Sequence, residues 1–246
     1  MKNIAVYLSC ISILVFTACE KDLGSKILGY NYDRGVGASS EDLVSKKAYT
    51  DLKVQLIYME GMQPQGTSID NLETFLEKHL NKDDVIIVQK EIPAEGKSSY
   101  SISDIRSLED KHRSVFNSGE ELSASMLFLD GNYSESDGVL GIAYNNTSTV
   151  LFESRIQELS GGIFQPSREK LETAVMNHEF GHLMGLVATG APLSADHHDE
   201  ANGAHCTNQD CLMYFAVETG DFIENLRNSP VPELDTDCQN DLDNLR

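Results

Sequence analysis

The segment Ser167 to Gly185, which ends His178-Glu-Phe-Gly-His182-Leu-Met-Gly185, constrains this chain more than any other. Pro166 followed by Ser167 reads as a helix start, after which Leu171, Ala174, Val175, His178 and His182 recur on one face. Four residues on an α-helix return the chain to the same face one turn further on. Both imidazoles can therefore aim at one point, at the separation two ligands of a tetrahedral ion need. Glu179 falls beside that point, where a carboxylate can take a proton from a metal-bound water and pass it to a leaving amine. With 7 His in 246 residues, H-E-x-x-H arises by chance in on the order of one such chain in fifty. On an amphipathic helix followed by Gly185 it reads as a zinc site rather than as two satisfied surface histidines.

The rest of the composition narrows the alternatives. Lys+Arg 19 against Asp+Glu 39 gives a formal charge of -20, which repels phosphate backbones, so no nucleic-acid partner is expected. With no Trp and 7% aromatic residues there is little material for stacking bases or sugars. Lys2 precedes an apolar run, Ile4 to Phe16, too short for a stable membrane span, and Phe16-Thr17-Ala18-Cys19 follows. This resembles the lipobox of bacterial lipoproteins, with Phe16 where Leu is preferred. The resemblance implies a signal peptide over 1–18, lipid on Cys19, and an exported chain in the cell envelope, at the periplasmic face or the cell surface. Membrane contact is expected through that lipid alone.

Residues 19–47, rich in Gly, Ser and charge without a sustained period, read as a tether, leaving one domain over 48–246. Leu52 to Tyr58 alternates as a strand, and Thr67 to Leu80 has helical spacing. Val85 to Val88 suits a strand buried on both faces, and Ser103 is placed to cap a helix running to Phe116. Short β-prone runs follow at Ser125–Asp130, Val139–Tyr144 and Thr149–Glu153, and a short terminal helix is expected from Pro232. Asp130, Asn132 and Ser134 alternate like calcium ligands. Glu135 and Gly141 stand where a calcium loop needs Gly and Glu, so a solvated turn is expected instead.

From His178 to Gly185 the chain resembles the metzincins, zinc peptidases with the pattern H-E-x-x-H-x-x-G-x-x-H and a later Met-turn. Ala188 stands where their third His would fall. Further on, His205-Cys206-Thr-Asn-Gln-Asp-Cys211-Leu-Met213 resembles the His-Cys-x4-Cys-x-Met segment of archaemetzincins. The resemblance implies an α+β fold in which a twisted mixed β-sheet is packed on the active-site helix. It also implies an insertion between Leu186 and His205, and Met213 as the Met-turn below the metal. One strand among Val139 to Glu153 would be the edge that takes up extended peptide. The downstream cysteine pair of archaemetzincins is missing, so their second zinc is not carried over.

A catalytic zinc needs three protein ligands, and Asp196, His197, His198, Asp199 and His205 all offer donor atoms after the glycine. His205 is chosen because it keeps the family spacing to Met213, with His197 as the alternative. Cys206 and Cys211, in an exported chain, are expected to form a disulfide beside this ligand, with pairings to Cys238 left open. The expected function is a Zn2+-dependent peptidase, an endopeptidase, acting on protein or peptide substrates with Glu179 as general base. A metal-binding adhesive lipoprotein without turnover, or a hydrolase of a non-peptide bond, would share the motif.

Overall fold

Alternating apolar positions bury a strand's two faces in two different places, and this chain has two cores because its central strands are apolar on both sides. The computed structural model describes residues 29–219 and 223–246. Along the chain come α1 (Ser40–Val44), β1 (Asp51–Met59), α2 (Gly66–His79), β2 (Asp84–Ile92), β3 (Ser99–Tyr100), α3 (Ile102–His112), β4 (Glu121–Phe128) and β5 (Asn132–Tyr133). Then follow β6 (Gly141–Asn145), β7 (Ser148–Leu151), α4 (Glu153–Glu158), α5 (Arg168–Leu183), a 3-10 turn (Phe215–Glu218), α6 (Ile223–Asn228) and α7 (Thr236–Asp243). The main sheet has the order β2-β1-β4-β7-β6, with β6 antiparallel to β7 and every other pairing parallel. This is the mixed α/β architecture expected from the sequence.

Leu52, Val54 and Leu56 of β1 and Leu122, Ala124, Met126 and Phe128 of β4 pack into the core shared with α2 and α5. Ile57 and Met59 of β1 and Leu127 of β4 face the other way, against Ile105 and Leu108 of α3. The helix that carries the histidines thus lies on the larger core, and every residue from Leu171 to Leu183 is buried. A one-faced amphipathic helix was expected. The difference arises because α2, the sheet and the segment after Leu183 enclose α5 from several sides.

Three other expectations are corrected. Val85 to Val88 belongs to β2, an edge of the sheet rather than its middle, and Ile86 is 36% exposed. The helix after β3 is capped by Ser101, not Ser103, in a capping box with Asp104. It stops at His112 because Arg113 turns inward to Glu109, Ser123 and the Thr147 and Ser148 hydroxyls. Residues read as tether also join the fold: Leu43 and Val44 are fully buried, and the Tyr32 hydroxyl donates to Asn117 Oδ1 at 2.9 Å. The packed chain therefore begins upstream of Ala48. The signal peptide and Cys19 lie outside the described residues. No described helix is long and apolar enough to cross a membrane.

Candidate metal centre

Helix α5 begins as its sequence dictates, with the Ser167 side chain accepting the Lys170 N–H. It ends in a Schellman arrangement, in which Leu186 N–H reaches Gly181 O and Gly185 N–H reaches His182 O, with Gly185 at φ 83°. A side chain at Gly185 would also meet Ser40 Cβ at 2.6 Å. Val187 and Ala188 continue in the left-handed region at φ 54° and 66°, a conformation costing roughly 1–2 kcal/mol for each residue with a Cβ. They swing the chain away from the helix end, so the position a shorter motif would use for a ligand is spent on the turn.

The chain returns to the helix at His205. The Nε2 atoms of His178, His182 and His205, together with a Glu218 carboxylate oxygen, all lie within 4.8 Å of one another. His178 Nε2 is 3.1 Å from His182 Nε2, close to the roughly 3.3 Å edge of a tetrahedron built on Zn–N bonds of about 2.0–2.1 Å. His178 Nδ1 donates to Leu212 O at 2.7 Å and His205 Nδ1 to Asn202 O at 2.7 Å. Since a carbonyl can only accept, both rings keep their Nε2 lone pairs for the shared point. His205 Nε2 is buried without a hydrogen-bond partner. These donors fit a zinc ion.

Electrostatics at this point favour neutral imidazoles at two of the three histidines. Burial lowers His178 to about 4 and holds His182 well below the usual histidine range, with the neighbouring imidazoles adding to the effect. For His205 burial, the largest single cause, also works downward, but Glu218, the Asn202 carbonyl and Asp199 together outweigh it and the net shift is upward. Glu179 stands apart from the cluster, wholly buried, with neither carboxylate oxygen in a hydrogen bond. Burial and then the Glu218 charge push its pKa well above the carboxylate range, against a smaller contribution from the Ala143 backbone. Its oxygen lies where a Cβ on Gly141 would be, 2.6 Å away, so only glycine at the start of β6 leaves room for it. Gly181 has the same role for Met213, whose Sδ fills the place a Cβ would need. Met213 thereby packs directly under the helix backbone.

The structure separates the two candidate third ligands. His205 joins His178 and His182, whereas His197 lies among the cysteines, with Nδ1 3.5 Å from Cys206 Sγ and Nε2 2.9 Å from Asp241 Oδ2. His198 Nε2 bonds Gly203 O on an exposed loop. The expected Cys206–Cys211 disulfide is not formed, and all three described cysteines are free and buried. Their physical context is a second donor cluster, Cys206, Cys211, Asp235 and Cys238, within 4.8 Å of one another. Cys211 Sγ accepts backbone N–H groups from Met213 and Asp235, both at 3.4 Å. The hydrogen bonds the three thiols share push Cys206 below its usual value and Cys211 and Cys238 above theirs.

Glu218 and Asp235 were missed in the sequence, and Cys238, in the first turn of α7, was read there only as a disulfide partner. Asp235 and Cys238 sit where a second cysteine pair was sought, as Asp-x-x-Cys. The expectation that no second metal site is present is thus open to correction: if this cluster holds a metal ion, Cys238→Ser is expected to bind one ion fewer than the full chain with the histidine site intact. Peptide mapping that found Cys211 bridged to Cys238, with one ion per chain, would make the cluster a disulfide instead.

No family model matches the chain, and no curated protein matches it. Among solved structures, the archaemetzincin of Methanopyrus kandleri aligns over 82% of this chain and 98% of that one, with a TM-score of 0.54 at 18% identity. The fold is archaemetzincin-like. Metalloproteinase-II of Bacteroides fragilis aligns over 89% of this chain and 59% of that one, at TM-score 0.45 and 15% identity. The fold expected from the segment His178 to Met213 is therefore the fold observed, with its own ligand spacing and its own second cluster.

Proposed function

We propose that this protein is a zinc-dependent endopeptidase, exported and tethered to a membrane by lipid on Cys19. The observation that carries the reading is the convergence of three histidine Nε2 atoms beside a buried, unpartnered carboxylate. A zinc ion held by His178, His182 and His205 would supply Lewis-acid chemistry, polarising the scissile carbonyl and bringing the pKa of the attacking water towards neutrality. Glu179 takes the proton from that water and returns it to the leaving amine. Its raised proton affinity suits it to accept that proton. A module that only binds metal has no use for this carboxylate.

Substrate orientation follows from the sheet. Strand β6 is an edge, and its first residue, Gly141, touches Glu179. An extended peptide adding to β6 as a further strand would run past the base and expose successive carbonyls to the metal point. The test is cleavage of a peptide library by the full chain, with and without chelator. Cleavage that chelator abolishes and zinc restores is expected, whereas a zinc-loaded protein that cleaves no peptide would overturn the reading.

Attachment is tested separately. Cys19→Ser is expected to move the protein from the membrane fraction to the soluble one. Unchanged partition in that variant would remove the lipid anchor.

A further inference from the structure

We propose that Glu218 is a fourth protein ligand of the ion held by His178, His182 and His205, so that the resting centre is closed by a carboxylate. This rests on the metallopeptidase reading and adds to it a residue that no motif in the chain marks. Glu218 Oε2 lies 3.6 Å from His205 Nε2 and 3.8 Å from His178 Nε2. Both distances are near the roughly 3.3 Å separation of ligand atoms around a tetrahedral zinc. Glu179, by contrast, is not among the converging donors. The two acids have different places, one beside the ion and one on it.

The backbone holds Glu218 there. It ends the 3-10 turn Phe215–Glu218, which starts two residues beyond Met213, and its carbonyl accepts the Leu140 N–H at 2.8 Å. The next residue, Thr219, bridges Val139 in antiparallel fashion. Among the described residues its ion pairs are both with these histidines. The side chain remains 26% exposed, so it can leave towards solvent without repacking the core. A zinc with four protein ligands is the closed arrangement of structural sites, and a catalytic one needs an open position or a fifth. Glu218 must therefore yield its place, wholly or by expansion of the coordination shell, when substrate enters. Because its backbone is pinned to the stretch just before β6, a peptide binding along β6 meets the same segment that holds the closing carboxylate.

The experiment uses the full chain loaded with Co2+, with azide as a small anion that occupies only an open coordination position. In the wild type the visible d–d bands are expected to be unmoved by millimolar azide. In Glu218→Ala and Glu218→Gln they are expected to shift, and the zinc dissociation constant to rise at least about tenfold, the range in which even a supporting partner of a ligand acts. The Gln variant keeps side-chain size and covers the case in which the Ala variant folds poorly. Cobalt in the cysteine cluster contributes equally with and without azide and cancels in the difference. If azide shifts the wild type as much as both variants and zinc affinity is unchanged, Glu218 is not a ligand, while the peptidase reading stands. If replacing His178, His182 and His205 together by Ala leaves metal content unchanged, there is no ion at the histidines, and the peptidase reading falls together with this one.

Discussion

Glu179→Gln is expected to lose peptide cleavage by about 10²–10⁴-fold or more while retaining its metal, because in the proposed mechanism the residue moves protons and holds no metal. At 1.36 kcal/mol per decade, that loss corresponds to roughly 2.7–5.5 kcal/mol of transition-state stabilisation. The amide replaces the carboxylate almost atom for atom, which matters here because the side chain lies beside Gly141, where there is no room for a Cβ. A larger loss would mean that the attacking water is also misplaced. The same variant carries a second, opposite readout. Both oxygens of Glu179 are buried without a partner, so an ionised carboxylate there is uncompensated once the metal is removed. Thermal unfolding of the metal-free variant should therefore occur no lower than that of the metal-free wild type. Near-normal turnover in Glu179→Gln would take the residue out of the mechanism.

What could be read before the structure, and what could not, divides along the range of the interactions. Ser167 as a cap, the helical stacking of His178 on His182 and the turn at Gly185 are settled within a few residues, and they were legible. So was the alternation in β1, because a strand half-committed to each of two cores leaves its period in the sequence. The position of β2 was not: a short apolar run suits a middle strand or a covered edge, and only the pairing order decides. The capping box at Ser101 and Asp104 was present as a signal and was passed over for Ser103 two residues later.

The distant members of the two donor clusters were not legible for a different reason. Glu218 reaches the histidines through a turn after Met213, and Asp235 and Cys238 come back to Cys206 and Cys211 from the start of α7. Asp235 is both the cap of that helix, accepting Cys238 N–H at 2.9 Å, and a donor to the cluster. Capping explains an Asp in that position well enough on its own, so nothing local draws attention to its second role. The expected disulfide was a reasonable pairing of near neighbours, but the third thiol, arriving from a distance, changes what the first two can do.

His205→Ala is expected to lose the ion at the histidine site outright, whereas His197→Ala keeps it, which resolves the choice that spacing left open. His205 brings its Nε2 to the shared point with its ring held by Asn202 O, and the backbone on either side is tied down: Asp199 N–H bonds His205 O, and Cys206 N–H bonds Met213 O. Removing it leaves two histidines and Glu218, a set that can still bind metal loosely but lacks one of the three imidazoles. The affinity loss should therefore exceed the roughly 10–100-fold seen when only a supporting partner is removed. His197 stands on the other side of Cys206, between that thiol and the buried Asp241. Its replacement should leave the histidine site loaded and peptide cleavage largely intact. It should weaken the cysteine cluster by about 10–100-fold, the effect of losing a group that orients a ligand. Metal content of the two variants, measured after dialysis against a weak chelator, distinguishes the cases. One ion lost from His205→Ala with cleavage abolished is the expected outcome, and loss of cleavage with the histidine-site ion in His197→Ala would reverse the assignment.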